Sequence, residues 1–202
     1  MGPSAAAIPT ALPRKLRSMS RQLYVFDRPQ RFVAGTVGQP GERTFYLQVS
    51  DGPRTVSVAL EKTQVSVLAD RMSELLDEVA NRDGAVVPPD AVVNDLDPLV
   101  SPVDEEFRVA AMGLAWDADS AAVVVEAVAG GDGDEPVDED HILSDADEGP
   151  DALRVKMTPV AARAFVERAR RVISAGRPPC PLCSLPLDPE GHVCPRQNGY
   201  RR

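Results

Sequence analysis

The sequence predicts an α+β fold, with largely antiparallel β-sheet, two main helices and a small cysteine-bearing hairpin near the C-terminus. Three observations carry this. Short runs rich in β-branched and aromatic residues, bounded by Gly, Pro or Asp, precede each of two amphipathic stretches. Each amphipathic stretch places apolar residues at spacings of three and four, the stripe of a helix with one buried face. All three cysteines fall between Cys180 and Cys194.

Residues 1–18 are Ala/Pro-rich and end in Arg14, Lys15 and Arg17. A secretory signal carries its charge before the apolar stretch, so the reversed order reads as a disordered extension. Strands follow at residues 22–26, 32–37 and 44–49. Asp51, Gly52 and Pro53 signal a turn, and residues 55–60 alternate like a half-buried strand. A helix is expected next: Val65, Leu68, Met72, Leu75, Leu76 and Val79 form its stripe, Thr63 is the expected N-cap, and Gly84 lies beyond its end. A proline-rich crossover, 83–106, leads to a second series. Strands are expected at 107–116, 121–129 and 153–157, then Thr158 as cap and Pro159 at the first helical position. In that helix the stripe is Ala161, Phe165, Ala169, Val172 and Ile173, stopped by Gly176, Pro178 and Pro179.

The order strand, strand, strand, helix thus occurs twice, in residues 19–82 and 107–176. Phe32 and Phe107 each precede a glycine by six positions, Gly38 and Gly113. The expectation is an internal duplication within one α+β domain spanning 19–176. The whole chain, 202 residues, is long enough to bury a core without disulfides.

Charge is unevenly spread. The formal net charge of -9 argues against a protein that coats nucleic acid through overall positive potential. No Lys or Arg lies between Arg108 and Arg154, and acidic residues crowd into 131–151, which is expected to be a solvated loop because like charges repel. Asp145, Asp147 and Gly149 faintly resemble a calcium loop, but the twelfth position is Lys156, where a bidentate Glu is needed. No apolar run is long enough for a membrane-spanning helix, so a cytoplasmic protein with no membrane partner is expected.

The candidate metal ligands are Cys180, Cys183, His192 and Cys194, spaced C-x2-C, eight residues, then H-x-C. A C-x2-C turn lets two thiolates converge on one ion, and tetrahedral Zn²⁺ takes four sulfur or nitrogen ligands. Four protein ligands make a closed, structural site with no open position for a water nucleophile. A thioredoxin-like redox pair is the main alternative, although that motif opens a helix and Pro181, Pro186 and Pro189 leave little helix here. A disulfide is disfavoured in a reducing compartment and leaves an odd thiol. The end of the chain, 177–202, is basic. With Arg168, Arg170, Arg171 and Arg177 it offers a cationic patch beside Tyr200 that could grip RNA, unless those arginines pair with the chain's own acids.

The run MSRQLYVFDRPQRFVAGTVGQPGERTFYLQ from Met19 and the ending CPLCSLPLDPEGHVCPRQNGYRR resemble an uncharacterised actinobacterial family known only as a domain of unknown function. The resemblance implies that Met19 is an ordinary start, and it transfers no activity. It also implies a phosphate-linked setting, because members are encoded beside histidine-phosphatase-like and kinase-like proteins.

Catalytic signatures are sparse. The chain has no glycine-rich phosphate loop, no G-x-S-x-G and no H-E-x-x-H. Of two histidines, His141 sits in the acidic run, where carboxylates favour its protonated form. Glu105 with Glu106 is a carboxylate pair of the kind any solvated segment offers, and Trp116-Asp117 reads as core plus turn. The expectation is a non-enzymatic binding or adaptor protein with a structural zinc site and a protein partner. An enzyme with its site in the cleft between the halves, and RNA binding by the tail, are the alternatives.

Overall fold

The computed structural model describes residues 21–39, 41–83, 95–130, 142–146, 148–176, 180–183, 187 and 194–196. Within them lie β1 (Leu23–Asp27), β2 (Arg31–Val37), β3 (Thr44–Asp51), β4 (Arg54–Leu60), α1 (Lys62–Asp83), β5 (Glu105–Asp117), β6 (Ala122–Ala129), β7 (Ala152–Met157) and α2 (Pro159–Ser174). The β3–β4 hairpin closes on two residues, because Asp51 pairs with Arg54. Gly52 takes φ +56°, a region open to glycine at little cost. Thr158 caps α2 as expected, its hydroxyl accepting from the Ala161 N–H at 3.2 Å, with Pro159 opening the helix. Thr63 does not cap α1. The helix starts at Lys62, and the Gln64 side chain accepts from the Glu61 N–H at 2.8 Å, so an amide reaching back from the first turn replaces a hydroxyl cap.

The strands form one sheet in the order β1-β7-β6-β5-β4-β3-β2. Pairing is antiparallel within β2-β3-β4 and within β5-β6-β7, and parallel at β4/β5 and β1/β7. A flat sheet would hold β1 and β2 roughly 29 Å apart at about 4.8 Å per strand. Yet they are joined by only Arg28, Pro29 and Gln30, which reach about 14 Å at most. The sheet must therefore curl, helped by a twist of roughly 20–25° per strand pair, until its two ends approach. Arg54 of β4 confirms the closure: its guanidinium sits 4.3 Å over the Phe26 ring of β1.

Two sequence expectations change. The first strand belongs in space to the second half, because β1 pairs with β7, so 19–82 is not a self-contained half. The Phe-to-Gly coincidence does not mark equivalent positions. Gly38 follows β2 with φ +103°, whereas Gly113 lies inside β5, opposite Glu126. A three-strand meander followed by a helix does occur twice.

One face of the curled sheet and the two helices enclose the core. Leu47, Val58, Leu60, Val125 and Leu153 meet Val65, Met72 and Leu76 of α1 and Phe165 of α2, all fully or almost fully buried. Each such side chain contributes on the order of 1.5–3 kcal/mol. Phe32 and Phe165 stack with ring centroids 4.9 Å apart. Of the expected α2 stripe, Phe165 and Ala169 are buried and Val172 and Ile173 pack against the core, and Ala161 alone departs from it. Ala161 is exposed, and Ala162, Val166 and Arg168 are buried beside the stripe.

The opposite face is partly roofed by chain segments lying on glycines. A Cβ at Gly35 would stand 2.6 Å from the Leu99 side chain, and one at Gly113 would clash with Ile142. A buried polar residue on the middle strand of each meander fixes each roof. Gln48 of β3 accepts from the Val100 N–H (2.7 Å) and donates to the Val100 carbonyl (3.0 Å) and to the Ser57 hydroxyl (3.0 Å). Glu126 of β6 accepts from the Leu143 N–H (3.1 Å), Arg21 Nη2 (2.8 Å) and Arg154 Nε (2.5 Å). Residues 142–146 are therefore pinned rather than freely solvated as expected. The Ser144 carbonyl takes further bonds from Arg21 and Arg154, and Asp145 pairs with Arg154.

Candidate metal centre

Downstream of α2 the chain reads Cys180-Pro181-Leu182-Cys183, and Pro181 to Cys183 form a turn. A turn of this length folds the N–H groups of the third and fourth residues back over the first side chain. The Leu182 and Cys183 N–H groups donate to Cys180 Sγ. Those bonds, the one from Cys183 first, hold the Cys180 thiol below its ordinary pKa against the opposing effect of burial. The thiolate is the form that ligates metal.

Cys194 returns to the same place. Its Sγ lies 3.9 Å from Cys180 Sγ, and the ligand atoms of Cys180, Cys183 and Cys194 are all within 4.8 Å of one another. Cys180 and Cys194 are buried and Cys183 is half-buried. A disulfide requires about 2.05 Å between sulfurs, so these are three free thiols. A tetrahedral ion with Zn–S bonds of about 2.3 Å places its sulfurs about 3.8 Å apart, close to the observed separation. The donor set fits a thiophilic cation such as Zn²⁺. A turn rather than a helix at the C-x2-C also departs from the setting of a thioredoxin-like pair. His192 lies outside the described residues, as does the greater part of the expected hairpin between Cys183 and Cys194.

The other singled-out residues are dispersed. His141 and most of the acidic run lie outside the described residues. Glu106 accepts from the Tyr24 hydroxyl at 2.9 Å in an exposed position. Trp116 packs at the margin of the core. Asp117 accepts from Lys156 at 2.5 Å and from the Ser120 N–H at 3.1 Å, and these bonds, Lys156 first, lower its pKa to about 2. Arg168 cannot join a cationic surface patch. It is buried, donates to the Ala34, Asp95 and Asp97 carbonyls and to the Asp95 carboxylate, and so covers the free edge of β2. Arg170 faces Asp70 at 3.5 Å.

Three clefts among the described residues lie between parts of the two expected halves, one of them, of about 370 Å³, between β1 and β5–β7 with Asp27, Asp117, Arg154 and Lys156 in its lining. Another of about 340 Å³ between α1 and β5 is lined by Gln64, Val67, Leu68, Arg71, Met112 and Leu114 among others, with Arg71 its single ionisable side chain. A permanently charged guanidinium cannot shuttle protons. The third, of about 240 Å³, lies between β2 and α2 and contains Arg31, Asp95 and Arg168. Sequence reasoning missed Arg31 and Asp95, assigned Arg168 to a surface patch, and missed Gln48, Glu126 and Arg21 as well. Gln48 and Glu126 did carry a signal, each being a lone polar residue inside an apolar strand.

A family model described as protein of unknown function (DUF3090) matches residues 24–194. The match ends on the last of the three clustered cysteines, so the basic segment from Pro195 onward lies beyond it. No curated protein matches the chain, and no solved structure does.

Proposed function

We propose that this chain, which belongs to the DUF3090 family of proteins of unknown function, is a non-enzymatic binding or adaptor protein whose C-terminal segment is folded by one structural zinc ion. Cys180, Cys183 and Cys194 supply three ligands, and His192, two residues before Cys194, supplies the fourth. The observation that carries this is the convergence of three thiols at metal-site spacing, with backbone N–H groups donated to Cys180. When bound, the ion supplies a cross-link and no chemistry, because four protein ligands leave no open position. The cross-link would present the basic segment from Pro195 onward to a protein partner. No helix among the described residues is long and apolar enough to cross a membrane.

Metal content tests the reading. Protein purified under reducing conditions should carry one zinc per chain, and Cys194→Ser should lose it while the α+β body keeps its melting transition. A zinc content near zero in reduced wild-type protein overturns the proposal. Capture of a partner by the full chain but not by a chain ending at 176 would support the adaptor role. Equal capture by both would refute a role for the tail.

A further inference from the structure

The cleft between β2 and the start of α2 combines a cationic end with an apolar wall. Its lining includes Arg31, Asp95 and Arg168 at one end and Phe32, Val160, Ala161, Ala164 and Phe165 along the side, around a volume of about 240 Å³. Two guanidiniums therefore share one lining carboxylate. Asp95 takes Arg31 Nε at 2.6 Å and Nη2 at 3.1 Å on its two oxygens, and Arg168 Nη1 at 2.7 Å. The remaining bonds of the pair go to neutral carbonyls, those of Ala34, Asp95 and Asp97. Asp97 and Arg171 also act on Arg168, so three guanidiniums face two carboxylates and one positive charge is left over in a place where Arg168 is almost removed from water. Arg31 Nη1 has no hydrogen-bond partner among the described residues. The lining extends from Arg31 and Arg168 to Thr158 and Val160 at the N-terminus of α2.

We infer that this cleft binds a small monocarboxylate with an apolar body, its carboxylate on Arg31 and its body on Phe32, Ala164 and Phe165. The choice follows from magnitudes. An excess of one charge is neutralised by a monoanion, whereas a phosphate dianion would leave a net negative charge against Asp95. The volume lies below the roughly 300–1,000 Å³ of sites for drug-sized ligands, which limits the ligand to something small. Asp95 and the Asp97 carbonyl occupy Nε and Nη2 of Arg31, so the ligand's carboxylate is held by a charge-assisted bond from Nη1, the arm they leave open. The apolar wall, with its stacked rings, has no use for a bare inorganic anion. The site is independent of the cysteine cluster and carries no reaction step.

Benzoate is the probe, titrated into the full chain and followed by backbone amide and Arg Nε chemical shifts, with inorganic phosphate and acetate as separate arms. Saturable shifts at Val160, Ala161 and Arg31 are expected, with a Kd of about 1 mM, reasonable for so small a ligand. Arg31→Gln should weaken binding at least tenfold. Because that change also touches Asp95, Ala164→Leu serves as a second variant, filling the cleft without altering the charges. It should weaken benzoate by a similar factor. Absence of saturable shifts in the wild-type chain overturns the inference, as does unchanged affinity in Ala164→Leu. Phosphate or acetate binding as tightly as benzoate would also overturn it, since the apolar wall would then contribute nothing.

Discussion

Glu126 is the residue whose neutralisation should disturb the body most. It is fully buried in the middle of β6 and faces two guanidiniums, one of which, Arg21, has a side chain only 1% exposed. Glu126→Gln preserves shape and an oxygen able to accept from the Leu143 N–H, so the change isolates the charge. Removing one partner of a buried pair costs about 3–5 kcal/mol, because the surviving charge stays desolvated. Arg154 retains Asp145 and is 18% exposed, which places the estimate near the lower figure, about 3 kcal/mol. In a domain of this size that corresponds to a fall in Tm of about 6–12 °C. Thermal and urea melts of the two proteins would measure it, with an unchanged m-value showing that the unfolded states are comparable. Hydrogen exchange at the Leu143 amide should quicken in the variant, since the roof over Gly113 loses its anchor. A Tm within about 2 °C of wild type would refute the view that this cluster holds the second half of the sheet together.

Three other outcomes follow from the same geometry. Gln48→Leu removes the partner of both backbone groups of Val100, a residue 45% exposed, so water offsets part of the loss and the cost falls near the low end of about 1–3 kcal/mol, with a lowered urea midpoint, while Ser57→Ala alone should have a smaller effect. Gly35→Ala places a methyl against Leu99 and should destabilise by about 1–3 kcal/mol, with Leu99→Ala restoring part of the loss. Strict additivity of the two changes would show that the contact is not the cause. Asp117 has a folded-state pKa of about 2, below its unfolded value of about 4. Its contribution is therefore present above the unfolded value and lost as pH falls through the folded one. The Tm difference between wild type and Asp117→Asn should stay constant above about pH 5, close between about pH 4 and 2, and shrink in a Lys156→Met background, where only the Ser120 bonds remain.

Local structure was legible because local rules decide it. The alternating run at 55–60, the Gly52 turn and the Thr158-Pro159 helix start depend on neighbours within a few residues, and each element formed where expected. The pairing of β1 with β7 was not legible, because Leu23 and Ala152 meet only when a curled sheet brings its ends together. The α2 stripe was legible at Phe165, Ala169, Val172 and Ile173, but the burial of Arg168 beside it was not, for a related reason. Hydrophobicity alone keeps Arg168 out of a buried face, whereas a shared carboxylate and three strand and loop carbonyls make its burial tolerable. The three cysteines were legible as a cluster from spacing, since C-x2-C is a turn-sized unit. The supporting N–H groups of Leu182 and Cys183 are a property of the turn and have no sequence signature of their own.

The roofs and the cysteine cluster answer one physical problem in different ways. A segment lying on a sheet face has too little apolar area to offset the entropy of being ordered, so something must fasten it. At Val100 a neutral amide suffices, because Leu99 also inserts over Gly35. At Leu143 the neighbouring chain is strongly acidic, and the fastening is ionic, with Arg21 and Arg154 neutralising Glu126 and Asp145 together. After α2 the described residues include no strand, and the stretch from Cys180 to Cys194 holds three prolines and only four apolar side chains besides its cysteines. A cross-link that closes those fifteen residues stabilises by about 3 kcal/mol through the unfolded state alone, which is comparable to what the charge cluster supplies to its loop. Under the zinc reading proposed above, three thiols brought together at a turn are the arrangement by which one ion would fasten this segment.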